Sequence, residues 1–179
     1  MMFIRKSENK PRPINLNDQI RQLEKMLART IPQTITIRTI LDPGILLTNA
    51  DPTQIDQVIM NLTVNAKDAM GDEGKLILKT ENVTLDQEFC NTHVGVKPGS
   101  YVRLTFSDSG SGISQETLSH IFEPFFTTKS VGKGTGLGLS TVYSIVKQHH
   151  GSIDCESKIG HGTTFKIYLP ALAPTLNEI

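Results

Sequence analysis

The sequence predicts an α/β two-layer sandwich, a mixed sheet of about five strands with helices on one face. Five short segments carry the β-branched or alternating residues of strands, at Thr34 to Leu41, Lys75 to Val83, Tyr101 to Ser107, Ser152 to Ser157 and Thr163 to Leu169. Between them run segments whose apolar residues recur at helical spacing. With 179 residues and 37% apolar content, the chain fits one domain with a real core and short appendages.

Residues 1–13 are charged, polar and interrupted by Pro11 and Pro13, and read as a linker from something upstream. Asn17 is placed to cap a first helix that carries Ile20, Leu23 and Leu27 on one face and ends near Thr30, before Pro32. The strand from Thr34 turns at Asp42-Pro43-Gly44. From Asp51-Pro52 the residues Ile55, Val58, Ile59, Leu62, Ala66 and Ala69 repeat at helical spacing through Met70, and Gly71 closes the helix. A polar stretch with turn residues Asn91, Gly95 and Pro98-Gly99 joins the next two strands. Ser114 caps a short helix reaching Ile121. After the glycines at 132–138, a helix through His149 turns Leu139, Val142, Ile145 and Val146 inward and takes Gly151 as its C-cap. The last two strands form a hairpin, and residues 171–179 read as an exit linker, leaving 14–170 as the domain.

Composition excludes several function classes. Eighteen basic against eighteen acidic residues leave no net charge, so neither nucleic acid nor a membrane surface is an expected partner, and any phosphate affinity must be local. No apolar run approaches the ~18 residues of a membrane span, and the N-terminus is too short for a signal peptide, so the expected location is cytoplasmic. Cys90 and Cys155 form no CxxC pair, and the five histidines no HExxH, which argues against a disulfide framework or a zinc site.

Four features carry chemistry. On the helix from Pro52, Asn61, Asn65 and Asp68 form a polar stripe beside the apolar sector. Asn within a helix costs ~0.6 kcal/mol relative to Ala, and its amide oxygen is a hard donor suited to Mg²⁺, although a solvated face is the competing reading. Asp108 ends the apolar row Val102, Leu104, Phe106 of a strand, where a carboxylate needs donors such as an exocyclic amine; a plain Asp-Ser-Gly turn is the alternative. Gly132, Gly134, Gly136 and Gly138 stand just before a helix without matching GxxxxGK[ST] or GxGxxG, which leaves a phosphate lid or a structural loop. Lys129 and Lys133 are the nearby point charges. The cluster Phe122, Phe125, Phe126 is too apolar for a free loop and must pack, anchor a lid or dock another domain.

In order, Asn61-Leu-Thr-Val-Asn65-Ala, Asp108-Ser-Gly110-Ser-Gly112, Phe122 to Phe126, Gly134-Thr-Gly136-Leu-Gly138-Leu and Gly160-His-Gly162-Thr-Thr-Phe resemble the N, G1, F, G2 and G3 boxes. These are the ATP-binding signatures of the catalytic domain of sensor histidine kinases, whose Bergerat fold is shared with gyrase, Hsp90 and MutL. The wording Phe-Phe-Thr-Thr-Lys and Gly-Leu-Gly-Leu-Ser-Thr-Val-Tyr-Ser-Ile-Val-Lys-Gln-His is most similar to nitrogen-regulation and hybrid PAS-linked kinases. The resemblance implies ATP and Mg²⁺ as cofactors, with Asn65 holding the metal and Asn61 helping with phosphates or metal, these two being the catalytic pair. It implies that Asp108 reads the adenine amine, and that Lys133, Gly134, Thr135, Gly136, Leu137, Gly138 and Leu139 belong to the ATP lid. It adds Gly110, Gly112, Ile113, Phe122, Phe126, Thr128, Lys129 and Thr163 to the ATP site. Many family members place Lys-Tyr third and fourth after the metal-binding Asn; here Asp68-Ala69 stand there and the base is Lys67, so both Lys67 and Asp68 are candidates for the phosphate end.

Relatives that hydrolyse ATP carry Glu where this chain has Asn61, and an amide cannot act as a general base. The resemblance therefore implies slow hydrolysis and transfer of the γ-phosphoryl to a protein side chain, by positioning and charge neutralisation. The family acceptor is a His followed by an acidic residue; none of the five histidines here precedes Asp or Glu, so the acceptor is expected on a separate dimerisation hairpin, with residues 1–13 linking to it. The implied partners are that hairpin and a response-regulator receiver domain, with the fragment monomeric and the parent kinase a homodimer. A nucleotide-driven switch of the Hsp90 or MutL kind and an anti-sigma serine kinase are the competing readings.

Overall fold

The computed structural model describes residues 9–129, 136 and 138–173. Its main sheet has five strands in the order β2(Ile35–Leu41), β4(Gly74–Leu85), β5(Gly99–Asp108), β7(Thr163–Pro170), β6(Ser152–Ser157). Only the β2–β4 pair is parallel; the other three are antiparallel, which makes the sheet mixed as expected. The three long helices α1(Leu16–Thr30), α2(Pro52–Met70) and α5(Gly138–Gln148) share one apolar core with the sheet. Period-two alternation turns Val102, Leu104 and Phe106 of β5 into that core, where Phe106 is 1% exposed. Burying such a side chain contributes about 1.5–3 kcal/mol.

Three elements go beyond the sequence reading. A small antiparallel pair, β1(Arg12–Ile14) with β3(Thr48–Ala50), ties the approach to α1 against the chain just before α2. The short helix α3(Gln87–Thr92) follows β4, and its Phe89 meets the Tyr168 ring edge-on at 5.0 Å, covering part of the sheet's opposite face. There Leu85, Val96, Tyr101 and Tyr168 form a second, smaller core.

The cap of α1 is a correction. Asn15, not Asn17, is the N-cap, accepting the Asn17 backbone N–H at 2.9 Å. Asn17 is instead buried, its amide donating to the Asp42 carbonyl at 2.8 Å and accepting from the Thr80 hydroxyl at 2.6 Å. The side chain is used between elements, which local sequence cannot display. Helix α4(Gln115–Leu118) is shorter than expected, with Ser114 as its N-cap.

At the end of α5 the left-handed residue is His150, at φ 60°, not Gly151. Its N–H bonds the Lys147 carbonyl and that of Gly151 bonds Val146, the pair of bonds of a Schellman motif. Gly151 is needed for another reason: a Cβ there would lie 2.3 Å from the Tyr168 carbonyl oxygen.

Candidate functional site

Between α2, the end of β5 and the segment leading to α5 lies a cleft of about 1040 Å³. Helix α2 presents Asn61, Asn65 and Asp68 to it, with Val64 and Ala69 beside them. The helix is fixed at both ends: Asp51 accepts the Thr53 N–H at 2.9 Å as N-cap, and Gly71 at φ 68° closes it with a bond to the Lys67 carbonyl. Asn61 donates its amide to the Gly138 carbonyl at 3.2 Å, so the polar stripe reaches the first residue of α5. Asn65 is different. Its amide nitrogen is buried and, among the described residues, has no hydrogen-bond partner.

Asp108 lines the same cleft from the end of β5. It continues the inward row of β5, where its neighbours in register are Leu76 and Thr163. Burial pushes its carboxyl above the ordinary range, against the pull of backbone hydrogen bonds from Gly110, at 2.8 Å, and Thr163. The bend after Asp108 is locked by close backbone contacts. A Cβ on Gly112 would sit 2.1 Å from the Lys158 carbonyl oxygen, and one on Gly162 2.0 Å from that of Asp108, both at φ near 80°. Cys155 lies close enough for Asp108 to add to burial in pushing its thiol up to about 12, which keeps it protonated and inert.

Gly112, Ile113, Phe126, Thr128, Lys129, Gly136, Gly138, Leu139 and Thr163 complete the expected residues that line the cleft. Lys129 pairs with Asp68 through its ammonium group, joining the phenylalanine segment to α2. Lys67, Gly110 and Phe122 stand off the cleft wall. Gly110 packs on Ala69, and Phe122 lies between the Tyr143 and Phe165 rings, at 5.4 and 6.4 Å. Lys133, Gly134, Thr135 and Leu137 lie outside the described residues. Ser111, Thr117, Thr127, Ile159 and Phe165 also line the cleft and were not anticipated. Ala69 had a signal, since it stands one helical turn after Asn65 on the same helix face; Ile159 is brought in only by the hairpin turn.

Residues 50–173 match the family described as histidine kinase-, DNA gyrase B-, and HSP90-like ATPase, HATPase_c. The chain belongs to this family. Its HATPase_c domain is of the sensor histidine kinase type. It is 42% identical over 96% of its length to sensor kinase CckA of Brucella abortus (strain 2308), and 34% identical over 94% to sensor histidine kinase ZraS of Klebsiella oxytoca. The chain spans 18% and 33% of those curated relatives. Among solved structures, the nucleotide-free catalytic domain of histidine kinase ThkA is similar at a TM-score of 0.71 and 32% identity, covering 90% of this chain and 96% of that one. Full-length ShkA in complex with AMPPNP shares the fold at a TM-score of 0.73 and 23% identity, covering 93% of this chain and 32% of ShkA. Membership makes this HATPase_c chain an ATP-binding domain. No helix among the described residues is long and apolar enough to cross a membrane.

Proposed function

We propose that this domain binds ATP with Mg²⁺ and delivers the γ-phosphoryl group to a histidine on a separate dimerisation hairpin of a cytoplasmic sensor kinase, for onward transfer to a response-regulator receiver domain. The observation that carries the reading is that Asn65 of α2 and Asp108 at the end of β5, forty-odd residues apart in sequence, line one cleft.

The donor set fits the metal. Mg²⁺ takes hard oxygen ligands and keeps few protein groups beside waters and phosphate oxygens. Asn65 brings an amide to the cleft wall, half-buried, whose nitrogen has no hydrogen-bond partner among the described residues, so no bond through that nitrogen holds the side chain and its oxygen can serve as the hard ligand. Bound there with ATP, the ion supplies charge neutralisation at the phosphates. Asp108 orients the base by accepting from its exocyclic amine, and Lys129 adds a positive charge at the phosphate side. Asn61 leaves the cleft without a carboxylate base at its position, which disfavours attack by water and preserves the γ-phosphoryl for a protein acceptor.

The test mixes the chain with ATP labelled at the γ-phosphate and a dimerisation hairpin carrying His followed by an acidic residue. Label that is acid-labile and base-stable on the hairpin is expected. Phosphate stable to acid on a serine, or rapid release of free phosphate without transfer, overturns the reading in favour of a serine kinase or an ATPase switch.

A further inference from the structure

Helix α2 ends on a broken local rule. Asp68 stands in its last turn, where the partial negative charge of a helix C-terminus disfavours an anion. The compensation is tertiary. The Lys129 ammonium group pairs with the Asp68 carboxylate, and both residues line the cleft, their side chains 31% and 45% exposed. Lys129 is held from its own segment as well, its backbone N–H donating to the Thr127 hydroxyl at 3.1 Å. Among the described residues Lys129 is the one cation lining the cleft, and the remaining ionisable group there is Asp108. The described lining therefore offers a phosphate chain no positive charge that a carboxylate does not already match.

We propose that Asp68 is a specificity-determining residue that makes nucleotide binding conditional on the metal: it selects the Mg²⁺ complex of ATP against the free triphosphate. This rests on the assignment of the Asn65 end of the cleft to Mg²⁺ and the phosphates. To bind a free triphosphate, Lys129 must leave Asp68 for a phosphate oxygen, and the carboxylate then faces like charge with no partner of its own. With the metal complex the exchange closes. Lys129 takes a phosphate oxygen, while Asp68, one helical turn past Asn65 on the same face, gains the positive charge of the ion in place of the ammonium it gave up. Mg²⁺ keeps several waters, and a carboxylate accepts from them without ligating the ion itself. Every charge keeps an opposite partner only when the metal is present.

The experiment titrates the whole chain with ATP at low ionic strength, once with Mg²⁺ and once with EDTA, and takes the ratio of the two affinities. Asp68→Asn is expected to raise the affinity for metal-free ATP and to cut the ratio on the order of tenfold, and Asp68→Glu to keep it. Lys129→Met is expected to move the ratio the other way, because Asp68 is then uncompensated toward free phosphate. A partly exposed ion pair contributes little to folding, so the variants keep the fold. If both affinities of Asp68→Asn fall together, the carboxylate merely supports Lys129; if both rise together, it is a plain repulsive charge; if neither moves, the pair has no bearing on the nucleotide. Each of these overturns the proposal, as does a Lys129→Met chain whose ratio falls. Failure of the functional reading shows separately: wild type then binds ATP under neither condition, and both fall. A wild type that binds ATP, with the ratio unmoved in Asp68→Asn, refutes the metal selectivity alone.

Discussion

The imidazole of His149 accepts the backbone N–H of Asp51 at 3.1 Å, so the residue just past α5 holds the residue that caps α2. The other ring nitrogen bonds the Ile145 carbonyl at 2.7 Å, which fixes the neutral tautomer with the proton on Nδ1. At the first residue of α5, the Gly138 carbonyl accepts the amide of Asn61, from the middle of α2. The helix that follows the glycine segment is thus held antiparallel along the first half of α2, tied near both of its own ends.

Breaking the His149 end leaves the Asp51 N–H buried and unpaired. His149→Phe is expected to cost about 1–3 kcal/mol in urea denaturation, and Asp51→Ala about 0.5–2 kcal/mol through the lost cap. Burial raises the Asp51 carboxyl, but backbone N–H groups of Lys10, Thr53 and Gln54 outweigh it and hold it below the usual range. A depressed folded pKa gives stability that is present above the unfolded value of about 3.9 and lost as pH falls through the folded value. The stability gap between wild type and Asp51→Ala should therefore shrink in acid titrations below pH ~4.

Asp108 has the opposite sign. Its folded pKa is raised by burial, so its contribution favours folding below the unfolded value and that contribution is lost as pH rises through the folded one. Asp108→Asn is expected to raise the melting temperature of the nucleotide-free chain at pH 7, with the gain vanishing below pH ~4, and to weaken ATP binding measured with a fluorescent nucleotide. Unchanged affinity would remove the adenine assignment.

Asn65→Ala should be nearly free of structural cost, because among the described residues the amide nitrogen has no partner to lose and Ala gains ~0.6 kcal/mol of helix propensity. The melting temperature is expected to hold or rise slightly, while the Mg²⁺ dependence of nucleotide binding and phosphoryl transfer disappears. A variant that melts early but keeps its metal dependence would make Asn65 a structural residue.

His150 occupies the left-handed region at φ 60°, where a residue with a Cβ is strained. His150→Gly is expected to stabilise the chain by about 0.5–1 kcal/mol, after the entropy glycine loses on folding. Equal urea midpoints for the two proteins would show that the His150 side chain compensates for its backbone.

Much of the fold was legible because its elements announce themselves locally. The apolar repeat through Ala66, the β-branched run at Ile35 and the inward row ending in Asp108 fix their periods by side-chain type alone. The two short strands at Arg12 and Thr48 carry no such period; three residues are too few to show one, and only pairing makes them strands. Asn17 misled for a related reason. An asparagine near a helix start is chemically able to cap it, and whether it caps or bridges to Thr80 depends on what the fold brings alongside. At the site, the asparagine stripe and the glycine-bounded Asp108 were readable as motifs, whereas Phe122 sits off the cleft wall because two aromatic rings offer it a better-packed place.

The sequence by itself determined which residues could bear the chemistry: mid-helix amides that helix propensity disfavours, a carboxylate ending an apolar row, and no acidic residue after any histidine. Only the tertiary structure decided their arrangement, bringing residues 65 and 108 to one cleft and tying α2 to α5 through His149. The reason is physical. Periodicity and propensity act over a few neighbouring residues, but a hydrogen bond's partner and direction are fixed by groups that meet only when distant strands and helices pack.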